Sequence, residues 1–542
     1  MALGAGAAAV AGLAALSWRR GAPARRIGFE PGTLHRGNVA EPGTLDPAYG
    51  FGAQEEEIMG DLFTGLIASD PAARPIPGIA ERWTTSPDGL HWTFYLRDAP
   101  WSDGTPVTAE DFIFAWRRLL DPKTAAPYAS FLYVVKNAAA INAGKMATGM
   151  LGISAPDPHR LEIALEHPAP YLLEMLTHMS TYPLPRHAVQ AHGKDWIKPG
   201  NLLSNGAFLL TEWVANDHVT LLRNPRFYDA QEVALKKVIY YPTDDFSAAL
   251  KRMRAGELDV QTRFPAQEID WIRANIPQVL SPLPQSFVEM IVINHQRKPF
   301  DDRRVRRAVS LAINREVITD KIRRVGDKPA YNLVPPGIAN FPGGNQLDFR
   351  NLPYKARLAQ AQQLMRQAGF GPDRRAKTSY MIRSTTAGTY RAAAAAIQEM
   401  LALIFIDAPI IANDFAVFNH AIQAHDFDIS EPGWSADFND AQTFLQLFRT
   451  GDGNNWGQYS NAKFDTLMTA SEQQTDLTAR GRILAEAEAV LLEDQAVVPL
   501  FFWIDPEIAW PYVKGWVPNP IAYHRSRWIV IDEKARAAQF AT

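Results

Sequence analysis

The chain has 542 residues, 55 Lys and Arg against 58 Asp and Glu, a formal net charge of −3, 47% hydrophobic residues and no cysteine. That length exceeds what one hydrophobic core usually fills, so two or three domains are expected. The near-neutral balance, without a lysine/arginine run, excludes the electrostatic footprint of a nucleic-acid binder. The lack of cysteine excludes disulfides, thiolate metal sites and a cysteine-borne lipid anchor.

Ala2 to Trp18 is charge-free and alanine-rich, followed by Arg19-Arg20 and Ala22-Pro23-Ala24. A short apolar run ending near an A-x-A site predicts a secretory leader over 1–24, and seventeen weakly hydrophobic residues make a poor membrane span. The charges are unusual for a leader: none precedes the apolar run and two arginines follow it, as in a chain with a shortened start or an uncleaved anchor. Export without a lipid anchor would place the protein in a periplasm, and so in a Gram-negative cell.

A turn-rich loop, Glu41 to Pro47, precedes a helical stretch near Glu55 to Leu66. His91 to Leu96 reads as a strand. In Trp101 to Pro122, Ser-Asp-Gly supplies a turn, Thr108 and Asp111 form a capping box, and Phe112, Trp116, Leu119 and Leu120 make one apolar stripe. This stretch needs no ligand to explain it.

Asp426 to Ser430 alternates polar and apolar residues, the pattern of a half-buried strand. Pro432 and Gly433 interrupt it, because proline has no N–H and glycine permits close backbone approach. The Gly433–Ser435 main chain is thereby an edge that an extended ligand could pair with. Trp434 offers an aromatic wall and Asp437 a carboxylate suited to a peptide's ammonium group. A competing role for Asp437, Asn439 or Asp440 is to cap the helix expected over Ala441 to Phe448.

The ordered segments Asp61-Leu62-Phe63-Thr64-Gly65-Leu66, Trp101-Ser102-Asp103-Gly104, Pro127-Tyr128-Ala129-Ser130-Phe131, Ser204-Asn205-Gly206-Ala207-Phe208, Phe300-Asp301-Asp302-Arg303-Arg304-Val305 and Val498-Pro499-Leu500 together resemble the peptide-class substrate-binding proteins of ABC transporters. The resemblance runs from about Gly37 to the C-terminus. It implies a two-lobed α/β periplasmic-binding-protein clamp of type II with an extra domain on one lobe. Lobe I would take 25–53, 186–286 and 506–542, domain II 54–185, and lobe III 287–505. Crossings near Leu283 to Phe287 and Phe502 to Pro506 would be hinges. The implied function is capture of an oligopeptide in the periplasm and delivery to the membrane permease of an ABC transporter, by a monomer without a cofactor.

By the same resemblance, the family's Gly-Trp-x-x-Asp segment matches Gly433-Trp434-Ser435-Ala436-Asp437, making Asp437 the ammonium acceptor and Gly433 and Ser435 main-chain partners. Glu41 matches a ligand-proximal glutamate, and Tyr128 and Phe131 fall in a loop lying across the peptide. The arginines that bind a short peptide's carboxylate in the family fall here on Ile422 and Glu431, and an assisting histidine falls on Tyr390. Arg323 stands where a cation serves longer ligands, Arg391 lies beside Tyr390, and Phe502 completes the candidate ligand-contacting set. Two lost arginines and the gain of Glu431 disfavour a carboxylate at the short-peptide position. A longer, modified or cell-wall peptide follows from that departure, with nickel, haem, sugar or opine binding as alternatives on the same fold.

An enzyme is disfavoured. No G-x-S-x-G, H-E-x-x-H or G-x-x-x-x-G-K-[ST] motif occurs. His187 and His192 lack a third ligand nearby, and Gly451 to Gly457 has the wrong spacing for a calcium or dinucleotide loop.

Overall fold

The computed structural model describes residues 30–243, 245–263, 266–281, 284–383, 388–504, 507–519 and 521–540. The expected leader lies outside the described residues, as do Leu283, Asp505 and Pro506 of the expected hinge crossings.

Three sheets organise the chain. The first has seven strands in the order Leu280–Ser281, Glu507–Ala509, Val260–Gln261, Thr33–Asn38, Lys237–Pro242, His218–Arg223 and Phe208–Val214. Its central strand, Thr33–Asn38, is wholly buried and runs parallel to both flanking strands, so it is covered on both faces. The sheet draws on the beginning, middle and end of the chain, and buried ion pairs tie those parts together. Asp259 accepts from the His35 amide at 2.7 Å, from the Tyr512 hydroxyl at 2.8 Å and from Arg536 at 2.8 Å. Burial still pushes its carboxyl pKa up to about 6, with Arg536 opposing the rise. Arg36 pairs with Glu57 at 2.5 Å and Arg525 with Glu56, joining the helix Ala53–Leu62 to the first strand and the C-terminal segment.

The second sheet runs Lys328–Pro329, Val497–Ile504, Pro284–Ile293, Ile429–Ser430, Tyr380–Arg383 and Ile410–Asn413, and Gly433–Ser435 also pairs with Pro284–Ile293. Val288 and Met290 to Ile293 are buried and feed two separate apolar cores, one on each face. The third sheet is antiparallel, Ala80–Thr85, His91–Leu96, Arg160–Ala164 and Ile153–Asp157. The helix Ala109–Leu120 begins with the capping box of Thr108 and Asp111 and buries Phe112, Trp116, Leu119 and Leu120, as the sequence pattern predicts. The first and third sheets share one continuous core.

This is the two-lobed α/β clamp with an extra domain, and its lobes touch. Phe438, from the second-sheet lobe, belongs to the core of the other, stacked 5.2 Å from Tyr171 and edge-on 6.0 Å from Phe131. Arg324 reaches Asp270 at 2.7 Å on the opposite side of the cleft.

Arg536→Ala leaves Asp259 buried with no cation, which should destabilise the protein by about 3–5 kcal/mol. A urea titration should show an earlier midpoint, whereas Arg391→Ala, at an exposed position without an ion-pair partner among the described residues, should stay within about 0.5 kcal/mol.

Candidate functional site

The segment from Asp426 to Asp440 sits at the centre of the second lobe. Only Ile429–Ser430 of the alternating run is strand, held between Val292–Ile293 on one side and Tyr380–Met381 on the other. Asp426 and Asp428 instead hold Arg297 at 2.8 and 3.2 Å. After Pro432 the chain rejoins the sheet as Gly433–Ser435, paired with Phe287–Glu289. The other edge of Gly433–Ser435 has no strand partner among the described residues. Gly433 lies opposite Glu289, where a Cβ would sit 3.2 Å from Glu289 Oε2 and would have to displace the Phe287 ring. Trp434 projects to the other face, its indole N–H on Thr443 Oγ1 at 3.3 Å and its ring 5.7 Å from Trp456.

Asp437 and Asp440 divide the roles the sequence leaves open. The helix that forms is Gln442–Leu445, shorter than the expected 441–448 stretch, with a 3-10 turn over Gln446–Phe448. Asp440 Oδ1 accepts its Gln442 N–H at 2.8 Å, and Arg480 grips the same carboxylate at 2.5 and 3.0 Å. Asp437 is thus released from capping. Its carboxylate accepts only from the Thr443 hydroxyl at 3.3 Å, and among the described residues no cation pairs with it. Enclosure pushes its pKa up to about 7, opposed by the Thr443 hydroxyl. A carboxylate held this way lacks a positive partner.

Across the cleft, Tyr128 and Phe131 belong to an aromatic group on the extra domain. Tyr128 lies 4.7 Å from His178, 5.8 Å from Phe51 and 6.3 Å from Phe131, and Phe131 lies 4.7 Å from His178. Burial raises the Tyr128 phenol pKa, and the Asp437 charge adds to the rise. Burial and Arg525 push His178 down to about 3, which leaves it neutral.

A second polar group lies under the other end of the strand break. Glu289, wholly buried, accepts from the Trp503 indole N–H at 3.1 Å and the Tyr390 hydroxyl at 3.2 Å, with Arg383 at 3.6 Å. Glu431 accepts from the Tyr380 hydroxyl, and Tyr390 also donates to the Glu431 carbonyl at 3.1 Å. Burial raises both carboxyl pKa values, and the Glu289 charge adds to the rise at Glu431. Arg323 is in this group rather than on a solvated helix face. It pairs with Asp327 and lies over Phe501 and Trp503, at 4.5 and 4.8 Å.

The remaining candidates lie apart. Glu41 takes the Trp213 indole N–H at 2.8 Å and the Asn216 amide at 3.1 Å, at the hairpin edge of the first sheet. Arg391 is exposed on the helix Gly388–Ala402, and Ile422 is buried in an apolar core. Phe502 lies opposite Val288, which pairs on its other side with Trp434. It also lines a separate cavity of about 640 Å³ with Tyr331, Val334 and Pro335. Glu289, Arg383, Tyr380 and Phe438 were not among the sequence candidates. The available signal for Glu289 was its single charge inside the apolar run Val288 to Ile293.

Among the described residues no group of three or more metal-ligating side chains occurs, and no helix is long and apolar enough to cross a membrane. The family model for bacterial extracellular solute-binding proteins, family 5 (middle), matches residues 74–456. The periplasmic oligopeptide-binding protein OppA of Salmonella typhimurium is 34% identical over 492 residues, 89% of each chain. The probable deoxycholate-binding periplasmic protein YgiS of Escherichia coli is 35% identical over 91% of this chain and 92% of its own. The solved Escherichia coli murein tripeptide binding protein MppA superposes with a TM-score of 0.81 at 32% identity, covering 93% of this chain and 99% of its own. With a family match over most of its length and relatives spanning about nine-tenths of it, the chain belongs to the bacterial extracellular solute-binding proteins of family 5.

Proposed function

We propose that this protein is exported to the periplasm, captures an oligopeptide between its lobes as a monomer, and delivers it to the permease of an ABC transporter. The observation that carries the reading is the Asp437 carboxylate, which has no cation partner among the described residues and stands two residues beyond a strand whose outer edge is free among them. An extended peptide satisfies both at once, its main chain on Gly433 and Ser435 and its ammonium on Asp437. Trp434 walls the first residue, and Tyr128 and Phe131 cover it from the extra domain. Glu41, Arg323, Tyr390, Arg391 and Phe502 are assigned to the outer parts of the ligand path. Lobe I comprises 25–53, 186–286 and 506–542, domain II 54–185 and lobe III 287–505, and closure turns on the crossings near 283–287 and 502–506. The three-sheet division supports these segments.

OppA and MppA are named for peptide ligands and YgiS for deoxycholate, an anion. This chain offers the buried carboxylates Glu289 and Glu431 and the half-buried Asp437 rather than an unpaired arginine, which favours an amino-bearing ligand over a carboxylate one.

A thermal-shift screen of two- to eight-residue peptides, their N-acetylated forms, deoxycholate, sugars and nickel tests the reading. A ligand present at about 100 times its dissociation constant should add about 2.7 kcal/mol of stability. Free peptides should stabilise and acetylated ones should not, whereas a response only to deoxycholate, a sugar or nickel would replace the peptide. Asp437→Ala should weaken peptide binding by about 2–5 kcal/mol in isothermal titration, and unchanged affinity would remove Asp437 from the site. An ammonium pairs only with the ionised carboxylate, and the Asp437 pKa sits at about 7. Peptide affinity should therefore fall as pH drops from about 8 to about 6, and Asp437→Asn should flatten that slope.

A further inference from the structure

The buried group around Glu289 and Glu431 holds one carboxylate more than its cations neutralise. The groups facing the pair are Tyr380 and Arg383 on one strand, Tyr390 on the helix above, Trp503 on the next strand, and Arg323 with Asp327. Asp327 takes Arg323, and Arg383 approaches Glu289. Glu431 keeps the Tyr380 hydroxyl on one oxygen, while its Oε1 is buried with no hydrogen-bond partner. Glu431 is 1% exposed. An unsatisfied buried carboxylate oxygen costs free energy unless a donor reaches it.

We infer that Glu289 and Glu431 form a cation subsite of the ligand cleft, which takes a lysine ammonium, an arginine guanidinium or an equivalent amine carried by the bound peptide. The inference rests on the peptide reading and adds a second point of charge recognition to it. The position fits the ligand path. Glu431 stands two residues before Gly433, and Glu289 Oε2 lies against the bare Cα side of Gly433. From Gly433 to Asp437 the chain advances four residues, at most about 13 Å, the reach of the third or fourth residue of an extended peptide anchored by its ammonium. A basic side chain there supplies up to three donors as ammonium or five as guanidinium to oxygens that can accept them. A ligand carboxylate in the same place meets two like charges.

The test is a lysine scan. Tetra- and pentapeptides with free amino termini carry lysine or norleucine at each position in turn, and isothermal titration measures both sets on the native protein, Glu431→Gln and Glu289→Gln. Lysine should bind about tenfold or more tighter than norleucine at one position, and that ratio should collapse in Glu431→Gln. Equal affinities on the native protein, a uniform preference for lysine at every position, or a ratio that survives both substitutions would overturn the subsite and leave peptide binding intact. If no peptide of either set binds, the peptide reading falls and the subsite with it. Titration in buffers of different ionisation enthalpy gives a readout that does not depend on the variants. Norleucine leaves the buried Glu431 without a cation whereas lysine supplies one and favours its ionised form, so the norleucine complex should hold more protons than the lysine complex, and equal proton exchange counts against the subsite.

Discussion

The missing N–H of Pro432 is the constraint on which this site depends. A continuous strand from Ile429 to Ser435 would be closed on both sides, as Ile429–Ser430 is, with Ile293 and Val292 on one edge and Tyr380 and Met381 on the other. After the break the next three residues keep one strand neighbour among the described residues, Phe287–Glu289. The break also sets Glu431 before the gap and Asp437 beyond it, so two carboxylates with few partners flank a stretch of main chain whose outer edge is unpaired among the described residues.

The charge arrangement follows from what burial costs. Around the first sheet the buried acids Glu56, Glu57 and Asp259 each meet an arginine from another segment of the chain, which makes them structural ties. In the second lobe the pairing is incomplete. Among the described residues the Asp437 carboxylate has only a hydroxyl and that of Glu431 only a phenol. Buried acids are thus joined to arginines where the fold is held together and left short of them beside the cleft, a distribution that marks the cleft as the place for an incoming charge.

Local signals carried much of this into the sequence. The helix after Thr108 and the strand His91–Leu96 were legible because caps, stripes and alternation are encoded by neighbouring residues. Asp437 was legible as an ammonium acceptor or as one of three possible caps, and what separates the two roles is remote: Asp440 takes the first helix N–H and is held by Arg480, forty residues away. Glu289 was hidden for a similar reason. Its partners Arg383, Tyr390 and Trp503 come from three other elements, and a lone acid in an apolar run does not announce which groups will surround it. Arg323 read as a cation for a longer ligand, and its packing was hidden because the aromatic rings beneath it, Phe501 and Trp503, lie nearly two hundred positions later.

The order of strands in the first sheet also bears on how the molecule is made. Thr33–Asn38 pairs with residues 237–242 and 260–261, and the sheet is completed by Glu507–Ala509, almost five hundred positions downstream. Contacts so distant along the chain close slowly, and this lobe cannot finish until nearly all of the polypeptide has been synthesised. The other lobe, whose strands all lie between residues 284 and 504, has no such need for either terminus. A chain built this way stays incompletely folded for most of its synthesis, a state compatible with being threaded through a narrow membrane pore, and its last turns seal the first lobe only when the C-terminal segment arrives.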